Sequence, residues 1–92
     1  MNSVFFIIRG KVQGVFFRAT TKTKAKELGI KGWVRNTEAG DVEVLAQGDA
    51  EQLALFEDWC RKGPSQARVD SFDREERNSE PCDSFTIVRE ED

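Results

Sequence analysis

The stretch from Ile8 to Arg18 constrains the fold more than any other part of the chain. It leaves a short run of β-forming apolar residues, passes two glycines and enters a segment with helical periodicity. Such a turn between a strand and a helix can hold a phosphate, because glycine permits close backbone approach and the first helical amides lack intrahelical partners. Arg18 adds a guanidinium group that matches two phosphate oxygens. The alternative is a plain glycine turn followed by a surface arginine.

The same stretch lacks the two common nucleotide motifs. It is not a P-loop, because Gly10-Lys11 precedes the second glycine and no hydroxyl residue stands at the magnesium position. It also does not match G-x-G-x-x-G. Nucleotide binding therefore has no motif to support it.

Periodicity along the chain predicts one small α+β domain over residues 1–92. The order β-α-β-β-α-β is the ferredoxin-like, split βαβ pattern, with two helices on one face of an antiparallel sheet of four to five strands. The predicted strands are Val4–Arg9, Ile30–Asn36, Asp41–Gln47, Ala67–Phe72 and Phe85–Val88. The predicted helices are 18–28 and 50–61, the predicted turn is 10–17, and residues 73–83 and 90–92 are read as an exposed loop and a solvated acidic tail.

The sequence also predicts which side chains of the two helices face the core and how the second helix begins. Residues 21, 25 and 28 form the inward stripe of the first helix, and 53, 56 and 60 that of the second. Asp49 and Gln52 form a capping box at the start of the second helix.

The topology makes the first strand interior, and it brings the turn after that strand to the end of the second strand at Asn36. Arg18 and Asn36 are therefore expected to meet.

Composition narrows the function classes. A net charge of −3 argues against a general nucleic-acid surface, so any anion site has to be local. The sequence has no histidine, which excludes His-based triads and His metal ligands, and no ligand cluster suggests a metal or another cofactor. Cys60 and Cys82 are expected to be free thiols. Neither a signal peptide nor a membrane span is predicted, so a cytoplasmic protein is expected, and we expect a monomer.

The exact residues of the opening stretch carry more information than its general character as a glycine-containing turn. Gly-Lys-Val-Gln-Gly-Val-Phe-Phe-Arg, residues 10–18, resembles the first signature of the acylphosphatase family. A second signature follows in the expected order: Gly-Trp-Val-Arg-Asn at 32–36, then Gly40, Val42 and Gly48. The likeness runs from about residue 4 to residue 69, and Phe-Thr-Ile at 85–87 also fits the family.

This resemblance implies hydrolysis of the carboxyl–phosphate bond of small acyl phosphates, with carboxylate and inorganic phosphate as products. Arg18 would bind the phosphate and Asn36 would position the attacking water; a substrate phosphate oxygen could take the proton. Backbone amides of the turn would hold the phosphoryl group. The predicted phosphate-binding residues are Gln13, Gly14, Val15, Phe16, Phe17 and Arg18. Without the resemblance, the favoured interpretation of Asn36 is a strand-end residue that opens a hairpin turn.

Three alternatives stay open. The first is a module on the same fold that binds a phosphorylated ligand without turning it over. The second is a carbamoyl-phosphate-handling domain of the kind found in larger maturation enzymes. The third is an RNA-binding module, which would need stacking aromatics and a basic surface. The acidic balance argues against the third.

Overall fold

The computed structural model describes residues 2–89, and the predicted acidic tail at 90–92 lies outside them. Seven elements follow one another along the chain. The strands are β1 (Asn2–Lys11), β2 (Lys31–Asn36), β3 (Val42–Gly48), β4 (Arg68–Glu76) and β5 (Phe85–Val88), and the helices are α1 (Phe17–Glu27) and α2 (Ala50–Lys62). No helix within 2–89 is long and apolar enough to cross a membrane.

The five strands form one sheet in the order β4-β1-β3-β2-β5, so β1 is interior as predicted. The ferredoxin-like α+β architecture is confirmed, but the prediction of an antiparallel sheet is wrong in one place. β5 runs parallel to β2, with Gly32 beside Phe85 and Arg35 beside Val88. The reason is that β4 occupies the edge beside β1, and the chain then crosses to the opposite edge before β5 begins.

The core lies between the sheet and the two helices. Alternate residues of β1 and β3 point into it, which is the period of two expected for a sheet covered on one face. Both helices contribute the residues predicted for them, except that Leu28 is only half-buried. The core residues include Val4, Phe6, Ile8, Val34, Val42, Val44, Ala46, Phe17, Ala25, Leu53, Phe56 and Cys60.

A segment that we call the strap, residues 77–84, carries the chain from β4 to β5 across the helix-free face of the sheet. Its anchor is Gln47, a fully buried residue of β3 that the alternation places on this face. The Gln47 amide donates to the Ser79 hydroxyl and the Glu80 carbonyl, each at 2.8 Å. Its oxygen accepts the Cys82 amide, also at 2.8 Å. Arg77 lies over the Phe5 ring at 3.7 Å on the same face.

Two strands extend beyond their predicted bounds by two or more residues. β4 continues through residues 73–76, where the sequence predicts a loop because all four residues are charged. An exposed edge strand tolerates such a run. β1 continues through Gly10, where the sequence predicts the turn. Gly10 instead sits at an irregularity in the β1–β4 pairing, where an added Cβ would lie 2.1 Å from the Arg68 carbonyl oxygen.

Candidate active site

The turn and the end of β2 meet at a cavity of about 280 Å³. The turn and α1 form one wall, and the ends of β2 and β5 form the other. This arrangement follows from the packing of α1 against β2 and β5. The lining residues are Val12, Gly14, Phe16, Phe17, Arg18, Ala19, Asn36, Ile87 and Arg89. The predicted meeting of Arg18 and Asn36 is therefore present in the structure, across one cavity.

The turn wall is shaped by two residues with positive φ. Gly14 has a φ of 75°, with open space where a Cβ would stand, so a glycine meets the requirement of the turn without strain. Phe16 has a φ of 62° and precedes the first residue of α1. The first hydrogen bond of the helix runs from the Thr20 amide to the Phe16 carbonyl at 3.0 Å. The amides of residues 17–19 thus have no partner inside the helix. They lie at the positive end of the helix dipole, which favours an anion.

Arg18 is held in place by its neighbour in sequence. Phe17 is 2 % exposed and packs edge-on against Trp59 of α2, with ring centroids 6.0 Å apart. This contact fixes the first turn of α1. Arg18 is only partly exposed and follows directly from that anchor, so its backbone belongs to a firmly packed helix turn.

Asn36 ends β2 and supplies the polar group of the sheet wall. It pairs with Val42 of β3 in the ladder, and it shares a strand face with the fully buried Val34. Its side-chain oxygen Oδ1 is buried and has no hydrogen-bond partner within residues 2–89. A buried acceptor without a partner is costly in a folded protein, and such atoms concentrate at sites that bind something. Asn36 also lines the cavity, and its amide carries both a donor and an acceptor, so it can orient a water there.

Gln13 holds the two walls in register. Its amide donates to the carbonyls of Thr37 and Asp41, both at 2.9 Å. These carbonyls belong to the hairpin that follows Asn36, so the turn is tied to the strand end. The Thr37 hydroxyl accepts the Asp41 amide at 3.1 Å, which is a contact within the hairpin turn. A buttressing contact from Thr37 to the Asn36 amide is not among the hydrogen bonds of the described residues.

The charge at the cavity is local and positive. Six arginines form ion pairs within residues 2–89, whereas Arg18 and Arg89 form none there. Both of these line the cavity. The described residues that line the cavity include no carboxylate, although the whole chain carries a net charge of −3. This lining suits a small anion, and it supplies no side-chain base from residues 2–89.

Sequence reasoning missed Arg89 because nothing in the pattern fixed where the last strand lies. The parallel pairing of β5 with β2 brings residues 87 and 89 beside the end of β2. Arg89 and Asn36 also line a neighbouring cavity of about 450 Å³. A basic residue just after the closing apolar strand was the only available signal, and it had no partner in sequence to support it.

The cysteines and acidic groups provide no second reactive centre. Cys60 and Cys82 are both free thiols, as predicted. Cys60 is buried in the core, where burial and then the charge of Glu57 raise the pKa of its thiol well above the usual range. Within residues 2–89, no group of three His, Cys, Asp or Glu residues could hold a metal ion.

Known proteins match the chain along almost its whole length. The acylphosphatase family profile matches residues 4–87. The chain belongs to the acylphosphatase family. An acylphosphatase of Methylococcus capsulatus is 44 % identical over 91 residues, which cover 98 % of this chain and 99 % of the relative. The crystal structure of acylphosphatase from Bacillus subtilis aligns with a TM-score of 0.92 and 34 % identity, covering 96 % of this chain and 99 % of that one. An acylphosphatase from Coxiella burnetii aligns with a TM-score of 0.90 and 38 % identity, covering 95 % and 92 %.

The residues predicted to bind phosphate in this family member divide into two groups. Gly14, Phe16, Phe17 and Arg18 line the cavity. Gln13 and Val15 do not: the Gln13 side chain is bound to the hairpin, and Val15 is 4 % exposed and packs in the core. The side chains of these two residues therefore shape the turn, and only their backbone amides remain as predicted phosphate contacts.

Proposed function

We propose that this protein hydrolyses small acyl phosphates to a carboxylate and inorganic phosphate. The observation that carries the proposal is the cavity lined by both Arg18 and Asn36, beside the first amides of α1, which have no helical partner. Arg18 and these amides are anion-binding groups on one wall, and the Asn36 amide on the other wall can orient a water. The family relationship agrees with this chemistry.

The substrate dianion would be held from the turn wall. The Arg18 guanidinium group donates to two phosphoryl oxygens, and the amides at the start of α1 donate to the others. Because Arg18 forms no ion pair within residues 2–89, binding does not require an internal carboxylate to be displaced. These donors are fixed before the substrate arrives, so they stabilise the charge that develops on the phosphoryl oxygens during transfer.

Asn36 would orient the attacking water through Oδ1. The water oxygen forms a bond to phosphorus while the bond from phosphorus to the acyl oxygen breaks, and the carboxylate leaves with that bonding pair. The proton of the water passes to a phosphoryl oxygen of the substrate. This assignment fits a cavity whose lining within residues 2–89 contains no carboxylate, in a chain without histidine or tyrosine.

We further propose that the protein acts as a cytoplasmic monomer without a nucleic-acid partner. One chain already brings Arg18 and Asn36 to the same cavity, which supports a site within a monomer. The acidic net charge disfavours association with nucleic acid.

Turnover of benzoyl phosphate in ¹⁸O-labelled water tests the proposal. We expect release of benzoate and inorganic phosphate without added metal, with the label in phosphate, because attack at phosphorus leaves the carboxylate oxygens untouched. Arg18→Ala, purified in parallel, controls for a contaminating phosphatase. Label in benzoate would show attack at the carbonyl carbon and contradict the mechanism. Saturable phosphate binding without any turnover would instead indicate a binding module.

A further inference from the structure

Phe16 is exposed and strained at the same time. It is 75 % exposed, more than any other large apolar residue within 2–89. It is also the residue other than glycine that takes a positive φ in that range. Its side chain makes no cap hydrogen bond at the start of α1.

Folding alone gives no reason for a phenylalanine at this position. The left-handed conformation is unfavourable for a residue with a Cβ, and most of all for bulky ones, whereas glycine adopts it freely. The ring also gains little from packing, because it stays exposed. Residues held in such conformations cluster at functional sites, where the strain is retained for another purpose.

The position of Phe16 in the cavity suggests that purpose. In phosphoryl transfer the attacking and leaving oxygens lie roughly in line with phosphorus. If Asn36 orients the water, the acyl group leaves from the opposite side of phosphorus and away from Asn36. The apolar residues of the turn wall other than Phe16 are Val12, Phe17 and Ala19. The first two are buried and Ala19 is small, so Phe16 offers the largest accessible apolar surface there.

We propose that Phe16 contacts the acyl group of the substrate and gives the site a preference for acyl phosphates with an aromatic or large apolar acyl group. This inference rests on the proposed hydrolysis of acyl phosphates and adds the determinant of substrate choice. The phosphoryl group is common to all substrates, so discrimination has to come from the acyl side. An exposed ring at the cavity rim is suited to an edge-on or offset contact with a second ring.

The test compares benzoyl phosphate with acetyl phosphate in wild type, Phe16→Gly and Phe16→Leu. We expect the ratio of kcat/KM for benzoyl over acetyl phosphate to fall roughly three- to tenfold in Phe16→Gly, which is the range of a typical aromatic pair. Phe16→Leu should keep an intermediate ratio, because it retains apolar surface. Thermal unfolding of Phe16→Gly should shift to higher temperature, because glycine relieves the positive φ. Leu55→Ala is the matched control: Leu55 is 53 % exposed on α2, away from the cavity, and its loss should leave the ratio unchanged.

Failure of this inference can be told apart from failure of the proposed function. If the wild type turns over both substrates and the ratio of kcat/KM for benzoyl over acetyl phosphate is the same in all variants, the role of Phe16 is wrong. The proposed hydrolysis of acyl phosphates would be unaffected by that result. An equal loss for both substrates in Phe16→Gly would show that the residue only shapes the turn, and would overturn it as well. Absence of turnover of either substrate by the wild type would overturn both proposals.

Discussion

The turn at residues 12–16 and the strap at 77–84 are both irregular connections, yet they are determined in opposite ways. The turn is set by residues within it and next to it: Gly14 takes the positive φ, and Phe17 anchors the helix that follows. The strap has no such internal pattern. It is held by Gln47, which lies more than thirty positions earlier and binds three of its residues.

This difference indicates that the region of the turn serves catalysis, whereas the strap serves the stability of the fold. Arg18, which lies just after the turn, forms no ion pair within residues 2–89, and the first amides of α1 have no helical partners. A change at Arg18 should therefore alter turnover and leave the fold intact. The strap satisfies a buried amide and covers the helix-free face of the sheet. A change at its anchor should therefore lower the stability of the fold and leave the chemistry of the folded fraction unchanged.

Arg18→Ala should give the largest effect. We expect kcat/KM for benzoyl phosphate to fall by about 10²–10³ or more, because a preorganised donor to the transition state is lost. Competitive inhibition by inorganic phosphate should disappear as well. The midpoint of thermal unfolding should hardly move, because surface changes without partners usually stay within about 0.5 kcal/mol. Arg61→Ala on α2, which removes an arginine paired with Glu57, is the control and should keep wild-type turnover. Normal phosphate inhibition in Arg18→Ala would show that the turn is not the anion site.

Asn36→Ala should affect turnover and not binding. If Asn36 orients the water, kcat should fall by about 10² while inhibition by phosphate stays near normal, as expected for a contact made mainly in the transition state. Asn36→Asp should be no better, because a carboxylate has no donor and repels the dianion. A higher kcat in Asn36→Asp than in the wild type would show that the reaction uses a general base, and it would contradict the water-orienting role.

Gln47→Leu tests the strap. The substitution replaces the amide with an apolar side chain of similar size, and it leaves the Cys82 amide and the Glu80 carbonyl without their partner. We expect the free energy of unfolding in urea to drop by about 2–3 kcal/mol, since three hydrogen bonds of roughly 1 kcal/mol each are lost. Turnover per folded molecule should stay near wild type. Gln66→Leu, at an exposed position, is the matched control. An unchanged midpoint in Gln47→Leu would show that the strap contributes no stability.

Thiol alkylation and chelation should have the smallest effects. Iodoacetamide should label Cys82 in the native protein and spare Cys60, whose thiol is buried and has a raised pKa. Mass spectrometry of peptides counts the labels. Turnover should survive both this treatment and EDTA. Loss of activity in EDTA that a divalent cation restores would contradict a metal-free mechanism.

The sequence could predict the turn and the meeting of Arg18 with Asn36 because local pattern and chain topology determine both. It could not predict where β4 ends, since residues 73–76 are charged and their strand character comes from pairing with β1. The parallel placement of β5, and with it Arg89, comes from long-range pairing with β2, which no local pattern in the sequence indicates. A capping box at Asp49 was predicted from spacing; the residue does occupy the N-cap of α2, but its side chain makes no cap hydrogen bond.

The parallel edge strand β5 also bears on how the site is assembled in time. The cavity draws its walls from residues 12–19, from Asn36 and from residues 87–89, so it joins early and late parts of the chain. Pairings over such separations close large loops, and their entropy is lost before the contacts are gained, which slows folding. A collapsed intermediate that has not yet docked β5 lacks one wall of the cavity. Recovery of enzymatic activity during refolding should therefore report the docking of β5 against β2.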